Sequence, residues 1–379
     1  MADESTFRRT YRYRIYPTVR HREALRAQLS FACQIYNAAL EQRRDSWRLQ
    51  RRSIGYVAQC RDLTDVRAAG MGPHGMSCTA MRDPLRRLDR AFGGFYRRVR
   101  AGAKPGYPRF RSSRRYDSLA WDSGWHLQDR RLVLQGIGQI KVKWHRALPR
   151  DAVIRTATVR RIAGGWYVSF SLSLPRPARA APVGPSVGID LGINHFVTLS
   201  NGEHIPGPRA YRAAERGIRV AQRRLSRRQS GSRRRHKARL LLARQHLRIR
   251  NLRSDHAHKL SRRLINNFGL IAVENLNLRG LGRGVLSKDV LDQAWGGFLT
   301  VLEYKAAEAG TRLVRVRPEG TSQSCSSCGV PVQKALSERT HRCVSCGLVI
   351  DRDTNAARNI LRLGLSRQAS TWPTGACVV

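Results

Sequence analysis

The chain has 379 residues and a formal net charge of +45, which arises from 71 Lys and Arg side chains against 26 Asp and Glu. It contains no apolar run long enough to span a membrane, and its charged first residues do not match a signal peptide. These features argue against integral membrane and secreted proteins. We expect a cytoplasmic, nucleoid-associated protein of two or three domains with no membrane partner.

The excess of positive charge says more about partners than about fold. Neutralising it takes about 75 Å of duplex nucleic acid at the phosphate spacing of DNA. A compact chain of this length is only about 55 Å across. We therefore expect the protein to hold more than one nucleic-acid strand, or to be wrapped by one.

The first half of the chain mixes strand and helix patterns. Residues 7–17 alternate polar and apolar side chains, which predicts a strand. Apolar residues recur at helical spacing over 21–47 and again over 83–99. Further short strands separated by turns are predicted within residues 119–174. We expect a small β-barrel into which the helices are inserted.

Basic side chains of the first half are candidates for nucleic-acid contact. Arg86 lies on the polar side of the helix predicted at 83–99, where a solvated helix face is the alternative. Arg109 belongs to the basic loop 102–115, in which Tyr107 and Phe110 could stack on bases or anchor the loop to a core.

The pattern changes after a Pro- and Ala-rich run at 174–185, which predicts a linker. Residues 186–199 are mostly apolar and predict a strand that carries one acid, Asp190. Asn201-Gly202 predicts a hairpin turn into another short strand. Later, residues 269–274 predict a short buried strand that ends in Glu274.

Residues 210–264 are helical in pattern and very basic, and Ser230-Gly231-Ser232 breaks them into a predicted hairpin. Its like charges repel, so a folded hairpin favours a polyanion beside it, although a solvated hairpin is the alternative. The side chains that we predict to bind nucleic acid here are Arg223, Arg224, Arg227, Arg228, Arg233, Arg234, Arg235 and Lys237.

Two Cys-x-x-Cys pairs, Cys325/Cys328 and Cys343/Cys346, are separated by fourteen residues. Their spacing is close to that of four-cysteine zinc sites. Four thiolates close a tetrahedral shell around Zn²⁺ and leave no position open for a substrate. We predict a structural zinc ion.

Three acids stand out by their positions in the predicted elements. Asp190 lies midway in a strand, Glu274 ends a later strand, and Asp353 is predicted to cap a helix at 354–363. The order of elements is that of the ribonuclease-H-like α/β layout, in which such acids meet at one sheet edge. They could hold two Mg²⁺ ions that stabilise the attacking and leaving oxygens of a phosphodiester. Singly, each acid has a structural explanation, and Asp351 competes with Asp353 for the metal role.

Several motifs together carry a resemblance that spans nearly the whole chain. The first half contributes FRRTYRYRIYPT and GYPRFRS, and the second half contributes VGIDLGINHFVTL, SQSCSSCG, CVSCG and DRDTNAARNIL. With them the chain resembles the TnpB family of transposon-encoded RNA-guided DNA nucleases, relatives of the type V CRISPR effectors. The resemblance implies that Asp190, Glu274 and Asp353 are RuvC-type catalytic acids. It also implies a guide RNA from the transposon end and cleavage of double-stranded DNA beside a short motif.

The same resemblance implies the fold class: α/β plus β-barrel, with an RNase H-like (RuvC-type) nuclease domain, a zinc-ribbon insertion and a preceding wedge β-barrel. The expected domains of the first half are a wedge-like barrel at 1–18 and 103–180 and a helical recognition domain at 19–102. The nuclease domain is expected at 183–320 and 350–379, with a basic hairpin at 210–264. A zinc-ribbon module that binds target nucleic acid is expected at 321–349. The motif-reading region around Tyr56 and Arg82 matches the family poorly, so these two residues are only candidate contacts.

Other functions are compatible with the same residues. A nuclease-silent regulator of transposition or transcription would use the same basic surface without cleavage. A guide-independent nuclease of the resolvase type would use the acids without RNA. The sequence leaves open the choice between monomer and homodimer, and between a transposon protein and a minimal CRISPR effector.

Overall fold

The computed structural model describes residues 6–175, 184–281, 287–335 and 338–371. The chain divides into two compact units, Met1–Arg176 and Pro177–Val379. Most of the linker predicted at 174–185 lies outside the described residues. Within the described ranges, no helix has the length and apolar character needed to cross a membrane.

Unit 1 is built on one antiparallel sheet of seven strands in the order β2-β6-β7-β1-β5-β4-β3. Its longest pairing joins β1 to β7, from Thr6 opposite Pro175 to Ile15 opposite Trp166. The strands are β1 Thr6–Tyr16, β2 Ser118–Trp121, β3 Trp125–Gln128, β4 Arg131–Leu134, β5 Gly138–Lys143, β6 Val153–Ile162 and β7 Gly165–Pro175.

Three helices are inserted between the first two strands of unit 1. They are α1 Val19–Gln50, α2 Tyr56–Ala68 and α3 Cys78–Arg100. The first and third confirm the predicted helices and extend them. Helix α2 was not predicted, because it buries only Gln59 and Leu63 and so has no apolar stripe along its length.

The core of unit 1 follows the alternation along its strands. Tyr11, Tyr13 and Ile15 of β1 point inward, while Arg12 and Arg14 between them are exposed. Phe170 of β7 is fully buried in the same cluster. One face of the sheet therefore packs against a core while the other carries basic side chains.

Unit 2 is built on a five-stranded sheet in the order β10-β9-β8-β11-β12. Strand β11 pairs in parallel with both β8 and β12, whereas β9 runs antiparallel to β8. The strands are β8 Ser186–Asp190, β9 Val197–Leu199, β10 His204–Ile205, β11 Leu270–Glu274 and β12 Arg312–Val316.

The single strand predicted over 186–199 is wrong: the chain turns after Asp190 and returns as β9. Gly192 lies in this turn, where an added Cβ would be 3.0 Å from the carbonyl oxygen of His195. Asp190 therefore ends a strand rather than lying midway in one. The apolar pattern continues through the turn because Leu191 and Phe196 are also buried, so hydrophobicity alone does not reveal the break.

The described residues of unit 2 also form six helices: α4 Ala210–Ser226, α5 Arg233–Asn267, α6 Leu278–Leu281, α7 Ser287–Gln293, α8 Trp295–Ala309 and α9 Arg352–Thr371. Helices α4 and α5 confirm the hairpin predicted from the break at Ser230-Gly231-Ser232. The Ser232 hydroxyl accepts a hydrogen bond from the backbone N–H of Arg235 at 3.1 Å and caps α5. A small sheet of β13 Thr340–Arg342 and β14 Val349–Asp351 precedes α9.

Candidate active site and metal centre

Asp190 and Glu274 end two neighbouring parallel strands. Strands β8 and β11 are in register, with Ile189 opposite Val273, so the two acids follow at the same level. Because the carboxyl ends of parallel strands meet at one edge of a sheet, both side chains lie at that edge. Asp190 is half-buried, and Glu274 is buried.

Asp353 reaches the same edge from the first turn of α9, which packs across β8. An added Cβ at Gly188 would lie 2.0 Å from the carbonyl oxygen of Ala357, so only glycine allows this close approach. The Asp353 Oδ2 atom lies 3.8 Å from the position of a Cβ built on Gly192, the turn residue that follows Asp190 and Leu191.

The predicted cap at Asp353 is wrong, and the cap is Asp351. Its Oδ1 atom accepts hydrogen bonds from the backbone N–H of Thr354 at 2.9 Å and from the Thr354 hydroxyl at 3.2 Å. The helix begins at Arg352, two residues earlier than an Asp353 cap requires. Asp353 is thus inside the helix, and its carboxylate is not engaged in this capping interaction.

The charges of Glu274 and Asp353 both act on the carboxyl group of Asp190. Burial, together with the nearby charges of Glu274 and Asp353, raises the pKa of Asp190 to about 8. Burial also raises the pKa of Glu274, against a hydrogen bond from Thr321 that lowers it. Like charges held together in a poorly solvated place favour either a proton or a cation between them.

This donor set fits a hard divalent cation such as Mg²⁺, which prefers carboxylate oxygens and keeps several waters. Among the described residues, only the four paired cysteines form a His, Cys, Asp or Glu group close enough to enclose an ion by themselves. The carboxylates are a looser cluster, which leaves room for water and phosphate oxygens to complete a coordination shell.

The second candidate metal centre is formed by the four cysteines predicted from their spacing. The Sγ atoms of Cys325 and Cys346 are 3.6 Å apart, as are those of Cys328 and Cys343, and all four lie within 4.8 Å of one another. A tetrahedral shell with Zn–S bonds of about 2.3 Å separates its sulfurs by about 3.8 Å. The cluster therefore fits zinc without rearrangement.

Two of the four cysteines favour the thiolate form, whereas the pKa of Cys328 is raised to about 11, because burial and hydrogen bonds with the other three cysteines outweigh a backbone hydrogen bond from Val330. Burial opposes ionisation of Cys325, but hydrogen bonds from the backbone N–H groups of Cys328 and Ser327 outweigh it and lower the pKa to about 5. Backbone hydrogen bonds from Cys346 and Ser345 likewise lower the pKa of Cys343. Because metal ligands must be deprotonated, these bonds prepare the site for a cation.

The predicted nucleic-acid side chains of the hairpin are exposed near its tip, with one exception. The exposed residues are Arg223, Arg224, Arg227, Arg228, Arg233, Arg234 and Lys237. Arg235 instead is half-buried, and its guanidinium donates to the carbonyl oxygens of Leu225 at 3.1 Å and Arg228 at 2.6 Å. It holds the turn between α4 and α5 together, so its charge is directed into the turn.

The four candidates in unit 1 differ in their surroundings. Arg82 and Arg109 are exposed. Tyr56 is half-buried and packs against the core of unit 1. Arg86 is half-buried and forms an ion pair with Asp122. The first two are therefore accessible to a ligand, while the last two already have protein partners.

Three family models match the chain. Their descriptions are a probable transposase over residues 169–283, a Cas12f1-like TNB domain over residues 295–360 and a helix-turn-helix domain over residues 7–52. The last description differs from the structure, because residues 7–52 hold strand β1 and the single long helix α1. The second coincides with the region that carries the four cysteines.

Named relatives cover most of the chain. A Streptomyces pristinaespiralis protein named "Putative RNA-guided DNA endonuclease" is 36% identical over 378 residues, which are 96% of this chain and 90% of the relative. The similarly named InsQ of Escherichia coli K12 is 28% identical over 303 residues, covering 75% of this chain and 74% of the relative.

A solved structure described as a Cas12f1-sgRNA-target DNA complex contains a chain with the same overall fold. That chain superposes with a TM-score of 0.60 at 14% identity, over 94% of this chain and 99% of its own length. The likeness extends the shared architecture to both units. From its sequence relatives and their coverage, the chain belongs to the TnpB family of transposon-encoded RNA-guided DNA endonucleases.

Proposed function

We propose that the protein is an RNA-guided, Mg²⁺-dependent endonuclease that cleaves double-stranded DNA next to a short adjacent motif. The observation that carries this function is the gathering of Asp190, Glu274 and Asp353 at one edge of a sheet. Burial and the charges of the other two acids raise the pKa of Asp190, and a strongly perturbed carboxyl beside other acids is typical of a functional site. The relative that matches nearly the whole chain bears the name of this activity.

The three acids come from elements that are packed on one another, which would fix their relative positions during the reaction. Asp190 and Glu274 would present oxygens from adjacent strand ends, and Asp353 would approach from α9. Bound Mg²⁺ would supply positive charge to the phosphodiester and activate a water for in-line attack. Asp190 would release its proton when the cation binds, because metal ligands must be deprotonated.

The remaining parts of the chain have roles that follow from their charge and chemistry. The exposed arginines of the α4–α5 hairpin would hold phosphates of the guide RNA and of its duplex with the target. Base pairing would supply most of the sequence specificity. The module at 321–349 would hold structural zinc and contact target nucleic acid. We assign the sheet of unit 1 to a wedge-like barrel, its helices to recognition, and unit 2 to a RuvC-type nuclease.

The decisive experiment begins with the RNA that co-purifies with the protein. Sequencing should reveal one structured RNA with a variable end, and a plasmid matching that end should be cut in Mg²⁺ but not in EDTA. The Asp190→Ala variant should bind the same RNA and target without cutting. Wild-type cutting rates in this variant would refute the assignment of the acids.

Two other experimental results would assign a different function to the protein. Binding of guide and target without cutting in any guide context would identify a nuclease-silent regulator. Cutting of branched DNA without RNA would identify a guide-independent nuclease. Either outcome would overturn the proposal.

A further inference from the structure

Thr321 contacts the buried acid of the candidate site although it lies 47 residues further along the chain. Its side chain is 4% exposed, and its hydroxyl donates a hydrogen bond to Oε1 of Glu274. The same hydroxyl lies 3.0 Å from the carbonyl oxygen of Pro318. A hydroxyl has one proton to donate, so a deprotonated Glu274 and the Pro318 carbonyl compete for it. The charged acceptor forms the stronger bond.

Thr321 is itself held by the helix that carries Asp353. The Nδ2 atom of Asn359 donates to the carbonyl oxygen of Thr321 at 2.9 Å and to that of Ser324 at 2.7 Å. One turn earlier in α9, the Nδ2 atom of Asn355 donates to Ser324 O at 2.8 Å. Both asparagines are buried. The backbone around Thr321 is thus fixed to α9.

The segment is anchored at its other end by the zinc centre. Cys325 follows Ser324 directly, and the backbone N–H of Ser326 donates to Oδ1 of Asn355 at 2.8 Å. A residue fixed from both sides can impose one orientation on a flexible neighbour. Glu274 has three rotatable side-chain bonds, and a carboxylate free to rotate presents its oxygens to a cation only part of the time.

We propose that Thr321 is a positioning residue that orients the Glu274 carboxylate for binding a divalent cation. The inference deepens the proposed function, since it rests on Glu274 being a metal ligand. Partners behind a metal ligand fix its orientation, and their loss typically lowers metal affinity by about 10- to 100-fold. Thr321 would not itself be a ligand of the cation, and its effect would act through the Glu274 carboxylate that it holds.

The test compares Thr321→Val, which removes the hydroxyl at nearly constant shape, with Thr321→Ser, which keeps it. Mn²⁺ binding to the purified protein is measured from the loss of the free-ion EPR signal, without nucleic acid or turnover. We expect Thr321→Val to weaken binding by about tenfold and Thr321→Ser to remain within about twofold of wild type. The Mg²⁺ concentration for half-maximal cleavage should shift by the same factor.

Two controls separate this role from a loss of folding. Thr300→Val removes a hydroxyl that donates to the carbonyl oxygen of Gly296 at 2.8 Å on the exposed face of α8, and it should leave Mn²⁺ affinity unchanged. Zinc content should stay the same in every variant. If Thr321→Val does not fold, the pair Thr321→Ser and Thr321→Ala isolates the hydroxyl, because both lack the methyl group.

Failure of this inference differs from failure of the proposed function. If Glu274→Gln abolishes Mn²⁺ binding while Thr321→Val binds like wild type, then Thr321 does not position Glu274 and the inference is overturned. If Glu274→Gln itself has no effect on Mn²⁺ binding, the metal site is misassigned and both proposals fall.

Discussion

Two aspartates only two residues apart have different roles because the helix begins between them. Asp351 precedes the first turn of α9 and caps it through Thr354. Asp353 lies inside that turn beside Gly192 and contributes to the field at Asp190. At the scale of single residues, one helix boundary decides which carboxylate is structural and which one we assign to the cation.

Substitution of Asp351 should reduce stability, whereas substitution of Asp353 should reduce cleavage. Asp351→Ala should lower the free energy of unfolding by about 1 kcal/mol, because it leaves a helix N–H without its cap, while Asp351→Asn should retain most of the stability. Asp353→Asn should abolish cleavage with little loss of stability. Urea denaturation and plasmid cutting measure the two effects. Loss of cleavage in Asp351→Asn, with cleavage intact in Asp353→Asn, would transfer the metal role to Asp351.

The raised pKa of Asp190 predicts how the free energy of unfolding depends on pH when Mg²⁺ is absent. Its folded pKa of about 8 is above its ordinary value of 3.8, so the folded state favours the protonated form. The resulting stability is fully present below about pH 4 and is lost as the pH rises through about 8. The free energy of unfolding of wild type should therefore fall across this range relative to that of Asp190→Asn.

Urea denaturation at several pH values without added Mg²⁺ tests this dependence. Addition of Mg²⁺ at about pH 8 should restore stability to wild type and much less to Asp190→Asn, because the cation replaces the proton between the carboxylates. Parallel pH curves for the two proteins would contradict the environment that the structure gives to Asp190.

At the scale of elements, the candidate site depends on how closely α9 approaches β8. Gly188 is the contact point, since a Cβ there would lie 2.0 Å from Ala357 O and 2.7 Å from Leu361 N. Both are backbone atoms and cannot move aside as a flexible side chain can. The separation between these two elements fixes how Asp353 faces Asp190.

Gly188→Ala should consequently destabilise unit 2 by about 3 kcal/mol and reduce cleavage, since α9 must shift away from the sheet. Gly297→Ala is the matched control, because a Cβ at this exposed position in α8 meets no atom within 4 Å. The control should stabilise the protein by about 0.5–1 kcal/mol. Thermal unfolding of both variants measures the difference, and equal stability would disprove the close contact.

At the scale of the whole molecule, the basic side chains of the α4–α5 hairpin are paired with acids near its base and exposed towards its tip. The acids near the base of the α4–α5 hairpin form ion pairs, such as Asp289 with Arg212 and Asp292 with Arg253. Towards its tip, the arginines at 223–228 are exposed. The hairpin thus presents its free charge at one end, as expected of a surface that grips phosphates.

Replacement of Arg223, Arg224, Arg227 and Arg228 by glutamine should weaken RNA binding and flatten its salt dependence. The slope of log K against log salt should fall by about 0.7 for each lost phosphate contact on a single strand. The same four residues changed to lysine keep their charge and should keep the slope. Fluorescence anisotropy in a KCl series measures both, and an unchanged slope in the glutamine variant would remove the hairpin from the RNA interface.

Features that depend on local chemistry were predictable from the sequence. Two Cys-x-x-Cys pairs specify a four-thiolate cluster because each pair brings its own sulfurs together within a turn. Ser230-Gly231-Ser232 disfavours a continuous helix, because Gly231 takes up a positive φ and Ser232 caps the next helix, and the hairpin follows. Helix α2 was not predicted because it buries only two side chains, so its sequence lacks the apolar periodicity that indicates a helix.

The sequence by itself determined the net charge, the thiolate cluster, the basic hairpin and the family to which the chain belongs. Only the tertiary structure decided that Asp351 caps α9, that Arg235 turns inward and that Thr321 bonds Glu274. The physical reason is that these roles depend on contacts and helix boundaries set by packing. A side chain's identity limits which bonds it can form, but the fold determines which partner lies within reach.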